Sequence, residues 1–249
     1  MKFGVSYNTA FYGTDPDQLI AVARHAEACG FESFYLPEHI ALYPGAALGS
    51  APFPPGLDIA DPLECLSFVA AATERILLGT AVLLVPYHHP VLLAKRLATL
   101  DVLSKGRMRL LWSGDDRGVS FDGEFFSFKE LCSFPKPLAP GTLPIHVGGS
   151  SPAAARRAGL RGDGYFPGGR LTLAERAQQL DLMRATAQAA GRDPGVLEVT
   201  RWGAIDMTAA EVEQHAAQGV TRLVVAPASA EESEQREQLS AFASRLDLS

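Results

Sequence analysis

The chain has 249 residues, 47% of them hydrophobic, with 22 Lys plus Arg against 28 Asp plus Glu and a formal net charge of −6. That length suits one domain of (β/α)8-barrel size, about 250 residues. Mild acidity without a basic block removes any electrostatic reason to expect nucleic acid or an anionic membrane as partner.

Lys2 to Asn8 alternates Phe3, Val5 and Tyr7 as a first strand. Asp15-Pro16 opens a helix as N-cap and first helical residue, and Gly30 ends it. Ser33 to Pro37 is the second strand, followed by Glu38-His39. A Pro- and Gly-rich loop runs from Ile40 to Asp61; loops of that length are usually functional. Asp61-Pro62 starts a helix to about Thr73. Ile76 to Val85 is apolar on both faces, as in a buried parallel strand. Val91 to Leu103 follows at helical spacing, with Gly106 as its terminator. Arg107 to Trp112 reads as a short, doubtful strand, and Ser113 to Gly118 as a turn cluster. Asp122-Gly123 between aromatic runs, Val119 to Phe128, signals a hairpin. After a Pro-rich connection come a strand at Ile145 to Val147, Gly148-Gly149-Ser150-Ser151 and a helix from Ala153. The remaining strands are Gly164 to Phe166, Leu197 to Ile205 and Leu223 to Ala226; the helices are Leu171 to Ala190, Ala209 to Gln218 and Glu231 to Arg245. Strands alternating with helices imply parallel pairing under helices, and a closed barrel would remove exposed edges.

No apolar run reaches the roughly 18 residues of a membrane span. Met1 leads directly into a strand without a basic n-region, so the expectation is a soluble, cytoplasmic chain. Cys29, Cys65 and Cys132 stand far apart and fit no zinc spacing or disulfide framework. They read as small hydrophobes.

Four ordered blocks, FESFYLPEH, TERILLGTAVLLVPYHHPVLLAKRLATLDVLSKGR, VSFDGEFFSF and PIHVGGSSPAAARRAGLRGDGYFP, resemble the bacterial-luciferase-like flavoprotein superfamily. They are most similar to the branch that uses the deazaflavin F420. The resemblance implies a single TIM (β/α)8-type barrel over residues 1–249, usually a homodimer. It also implies hydride transfer with F420 on a small organic molecule. FMN-dependent monooxygenase chemistry, or a non-catalytic flavin-binding relative, are the alternatives. Family members continue from a Gly-Arg such as Gly106-Arg107 into a Gly-rich fourth strand, a long loop and a full helix. Here Leu110-Leu111-Trp112-Ser113-Gly114 follows almost at once, as though one βα unit were missing. Residues 106–118 are too few for a strand, a loop and a three-turn helix.

The working residues of such a barrel lie at the C-terminal strand ends. Glu38 and His39 are candidates for proton transfer, or a structural pair that pins the long loop. By resemblance, Thr80-Ala81-Val82 carries a non-proline cis peptide against the cofactor ring; an ordinary buried strand is the alternative. His88-His89 beside Tyr87 lacks a third ligand at useful spacing, so no metal is expected, and His89-Pro90 caps the next helix. Gly148, Gly149, Ser150 and Ser151 offer close backbone approach and a helix N-terminus to an anion. They resemble the family's phosphate site. Asp163-Gly164 suits a turn. Gly168 and Arg170 follow the next strand, and Arg170 is either a phosphate partner or a solvated arginine. No P-loop, Gly-x-Gly-x-x-Gly, nucleophile elbow or His-Glu-x-x-His occurs. A reaction carried by an organic cofactor is left.

Overall fold

The computed structural model describes residues 1–40, 47–48, 51–52, 57–109, 119–131, 144–168 and 171–248. Its elements are β1 (Lys2–Ser6), α1 (Thr9–Tyr12), α2 (Pro16–Ala28), β2 (Ser33–Leu36), β3 (Ala47–Leu48), β4 (Ala51–Pro52), α3 (Pro62–Ala72), β5 (Leu77–Thr80), α4 (Pro90–Leu103) and β6 (Met108–Arg109). The hairpin β7 (Val119–Asp122) and β8 (Ser127–Leu131) follows, then β9 (His146–Gly148), α5 (Pro152–Arg161), β10 (Gly164–Phe166), α6 (Leu173–Ala189), β11 (Glu198–Trp202), α7 (Ala209–Ala217), β12 (Arg222–Val225) and α8 (Glu232–Leu246).

Proline opens four of the eight described helices, α2 to α5. Asp15 Oδ1 accepts from Asp17 N at 2.8 Å and Asp61 Oδ1 from Leu63 N at 2.9 Å, while Pro16 and Pro62 occupy a first turn that needs no N–H of its own. Ser151 precedes Pro152 in the same way, while His89 precedes Pro90 without a side-chain cap bond. Thr172 with Glu175 and Thr208 with Glu211 form capping boxes at α6 and α7.

The main sheet is parallel, in the order β6-β5-β2-β1-β12-β11-β10-β9. That is the strand order of a (β/α)8 barrel, with the fourth strand described at Met108–Arg109. Among the described residues no pairing joins β6 to β9, and the curled sheet is a shortened barrel of the (β/α)8 type. The doubtful strand is thus real where it is described. Met108–Arg109 pairs with Leu78 and Gly79, while residues 110–118, the rest of the missing unit, lie outside the described residues. So does Cys132.

The outer face of the sheet (Phe3, Val5, Tyr7, Phe34, Leu36, Leu78, Tyr165, Val199, Leu223, Val225) packs under the helices as one apolar core. Arg107, buried beside β6, ties the ends of α3 and α4 together. Its guanidinium donates to Ala70 O (2.7 Å), Thr73 O (3.0 Å), Thr73 Oγ1 (2.8 Å) and Ser104 O (2.7 Å). These include carbonyls that a helix end leaves unpaired.

The apolar run Ile76 to Val85 does not stay in the sheet. The strand ends at Thr80, and a 3-10 turn spans Val85–Tyr87. Strand β11 likewise stops at Trp202, short of the Ile205 expected. The Asp122-Gly123 hairpin is present, with Gly123 N donating to Phe126 O at 3.0 Å. Phe126 packs edge-on against His89 at 5.0 Å between centroids.

Candidate functional site

A cavity of about 610 Å³ runs along the inner side of β9, from Pro144 to Gly149. The segment after β5 (Thr80, Val82, Leu83, Val85, Pro86) faces it, and Tyr35, Phe166, Thr200 and Arg157 complete the lining. The cavity therefore joins the two stretches that the sequence singled out separately. Gly148 and Val82 meet directly: a Cβ on Gly148 would lie 3.1 Å from Val82 Cγ1. The Ala81–Val82 peptide is cis, as the resemblance implies. Ala81 is buried with Tyr35, Phe166 and Val224, the inner apolar layer of the barrel.

The Gly149 turn is held from behind. Gly149 has φ +121°, a conformation side chains rarely adopt. Tyr165 donates to Gly149 O at 2.8 Å and also bonds Gln179, whose amide donates to Ser150 O. Burial pushes the Tyr165 phenol up, which keeps it a donor. Ser151 caps α5, accepting from Ala154 N at 3.2 Å. Ser150 and Ser151 continue the turn outside the cavity lining, Gly168 is also outside it, and Arg170 lies outside the described residues.

Glu38 and His39 are placed differently from the cofactor residues. Glu38 is buried, and its carboxylate accepts from Leu84 N at 2.6 Å and meets His88 Nε2 at 2.8 Å. Its own N donates to Val82 O at 3.1 Å. Glu38 thus anchors the chain that leaves β5 and bounds the cavity. His39 stands next to it at the end of β2, half-buried, and neither lines the cavity. His88 is taken by that ion pair, and His89 precedes α4 without a side-chain cap bond. Among the described residues no group of three or more His, Cys, Asp or Glu could hold a metal.

Sequence reasoning missed Tyr35, His146, Arg157 and Thr200. The signal was strand alternation: Tyr35, His146 and Thr200 sit on the polar, inward register of their strands. Arg157, one turn into α5, lines the cavity and has no hydrogen bond or ion pair with a described residue.

Below this layer the barrel interior is ionic. Arg222, fully buried, holds Glu32 (2.8 and 3.1 Å) and Glu198 (2.8 and 3.3 Å), and Lys2 also contacts both carboxylates. Burial alone would raise the Glu198 carboxyl, but His146, Arg222 and Lys2 outweigh it and hold that carboxyl well below the usual range.

The family is that of luciferase-like monooxygenases, whose model matches residues 1–111 and 108–248; the chain belongs to it. The two matches meet at 108–111, where the sequence departs from the family pattern. An uncharacterised Mycobacterium tuberculosis protein is 33% identical over 189 residues, 59% of this chain and 65% of that protein. The F420-dependent hydroxymycolic acid dehydrogenase of the same organism is 30% identical over 218 residues, 73% of this chain and 56% of that one. The F420-dependent glucose-6-phosphate dehydrogenase of Microbacterium testaceum is 28% identical, covering 67% and 56%. The chain thus spans between half and two thirds of these relatives' length. In fold it is similar to an F420-dependent secondary alcohol dehydrogenase bound to an F420–acetone adduct (TM-score 0.78, 15% identity, 99% and 98% covered). It is likewise similar to a Streptomyces bottropensis monooxygenase (TM-score 0.73, 20% identity, 99% and 98% covered).

Proposed function

We propose that this chain is an F420-dependent oxidoreductase that exchanges hydride with a small organic substrate in the β9 cavity. The carrying observation is the meeting of the Ala81–Val82 segment with the Gly148–Gly149 turn across one cavity. The residues present fit the group. Tyr35, Val82 and Phe166 offer apolar walls to a ring. The buried Thr80 hydroxyl has no partner among the described residues and belongs to the cavity lining, so a polar ring edge there would satisfy it. The Gly149 turn, the start of α5 and Arg157 suit a phosphate. When bound, F420 supplies the hydride chemistry at its deazaflavin ring. The protein binds, orients and excludes water, with Glu38 positioning the wall at 82–84. His39, the sequence's candidate proton donor, is outside the lining; His146 is the imidazole inside it. The F420-dependent relatives support this choice of cofactor.

Equilibrium dialysis against F420 and against FMN tests the reading. Retention of F420 at micromolar concentration supports it, and retention of FMN alone replaces it with an FMN-dependent monooxygenase. Retention of neither favours a non-catalytic relative, a reading supported by the short sequence between Arg107 and the hairpin, where family members carry a full fourth unit.

We also propose a homodimer working in the cytoplasm. Among the described residues no helix is long and apolar enough to cross a membrane. Phe68 on α3 and Leu92 and Leu103 on α4 are exposed at 48, 60 and 62%, apolar surface of the kind that subunit contacts cover. A monomer mass by light scattering at high micromolar concentration would overturn the dimer.

A further inference from the structure

His146 lies across its neighbouring strand. It leaves β9 at the level of Gly164 on β10, and Gly164 in turn pairs with Glu198 on β11. A Cβ on Gly164 would lie 2.7 Å from the imidazole, so the missing side chain there is what lets the ring pass over β10. The ring reaches β11 with both nitrogens. Nδ1 is 3.0 Å from Thr200 Oγ1. Nε2 is 3.0 Å from Glu198 Oε2. Carboxylate, imidazole and hydroxyl thus stand in a row, and both His146 and Thr200 line the cavity.

Below the ring, Glu32 and Glu198 face Lys2 and Arg222.

We propose that Thr200, His146 and Glu198 form a proton relay opening on the cavity. In the forward direction an O–H bond of a cavity-bound alcohol breaks and its proton forms an O–H on Thr200. The proton Thr200 held forms an N–H at His146 Nδ1, and the electron pair stays on the alcohol oxygen. The resulting imidazolium faces Glu198, whose carboxylate Arg222 keeps charged. The reverse path protonates a carbonyl oxygen during reduction. The arrangement of the three residues stands by itself; its use in alcohol oxidation or carbonyl reduction rests on the proposed function.

Two arms test the relay separately from the cofactor. The first uses the full chain, labelled with 15N-histidine, without cofactor. His146 is expected as the Nε2–H tautomer with Nδ1 accepting a hydrogen bond. Thr200→Val should shift its Nδ1 resonance while leaving the other histidines in place, Thr200→Ser should restore it, and Gly164→Ala should move both ring nitrogens. An Nδ1–H tautomer, or an Nδ1 signal indifferent to Thr200→Val in a folded variant, would overturn the relay. The second arm measures F420 affinity and the reduction of F420 by propan-2-ol as probe. Thr200→Val is expected to lower kcat about 10²-fold, the lower range of general acid–base contributions, with KM and F420 affinity within about threefold of wild type and Thr200→Ser restoring the rate. An unchanged kcat overturns the relay. Failure of the wild type to bind F420 counts against the proposed function only, and leaves the spectroscopic arm to decide.

Discussion

The two faces of the one sheet are built for different ends. The outer face is a continuous apolar layer under helices, where Phe3 and Phe31 both pack on Phe242 at 5.4 and 5.6 Å between centroids. The inner face carries a charged floor at Arg222, a layer of small and polar residues (Ser33, Gly79, Gly164, Thr200) and an apolar rim at Tyr35, Ala81 and Phe166. Hydrophobic burial stabilises the outer layer without regard to direction. The inner layer spends apolar area on charges whose desolvation only good geometry offsets, and what it gains is a shaped cavity with a few polar groups among apolar walls. Folding is secured on one side and chemistry on the other, with the pleat of each strand as the partition.

Breaking the floor should have the largest effect. Arg222→Met leaves Glu32 and Glu198 without their buried partner and should lower unfolding free energy by about 3–5 kcal/mol, read by urea denaturation at neutral pH. The same pairing sets the acid limb of stability. Because the folded Glu198 carboxyl is held below its unfolded value, its contribution is present above the ordinary carboxylate pKa of about 4.3 and fades as pH falls below it. Glu198→Gln should therefore flatten the loss of stability between neutral pH and about pH 3; a slope identical to wild type would contradict this.

On the outer face, Leu78→Ala should cost about 2–5 kcal/mol yet leave F420 affinity of the folded protein unchanged. A matching fall in affinity would show that the two faces are not independent. On the inner face the reverse is expected of Gly79→Ala. Its Cβ would come within 2.5 Å of the Tyr35 ring, and overpacking of this kind costs about 1–3 kcal/mol. Tyr35 lines the cavity, so ligand affinity should drop as well, measured by fluorescence titration. Smallest is Arg157→Ala. It removes an exposed cation with no partner among the described residues, so melting should not move, while F420 affinity should fall about tenfold, or about 1.4 kcal/mol. Equal affinity in this variant would place the phosphate elsewhere.

Much of this was written in the chain. The alternation at Phe3, Val5 and Tyr7, the Asp-Pro helix starts and the terminating glycines Gly30, Gly106, Gly191 and Gly219, all with positive φ, are local signals set by nearest-neighbour sterics and hydrogen bonding. They fixed the elements and their parallel order. The cut fourth unit was legible as well, because too few residues separate Arg107 from the hairpin. Tertiary structure alone decided how far Ile76 to Val85 stays in the sheet. An apolar run looks the same whether it continues as strand or turns away, and only the contact of Glu38 with Leu84 N and His88 fixes where it leaves. It also decided that Glu38 is an anchor, that Arg157 faces the cavity, and that His146 reaches Thr200 and Glu198 over Gly164. Thr200 and Glu198 are 54 and 52 positions from His146, and a spacing that long carries no periodic signal; parallel register between β9, β10 and β11 brings the three into one row.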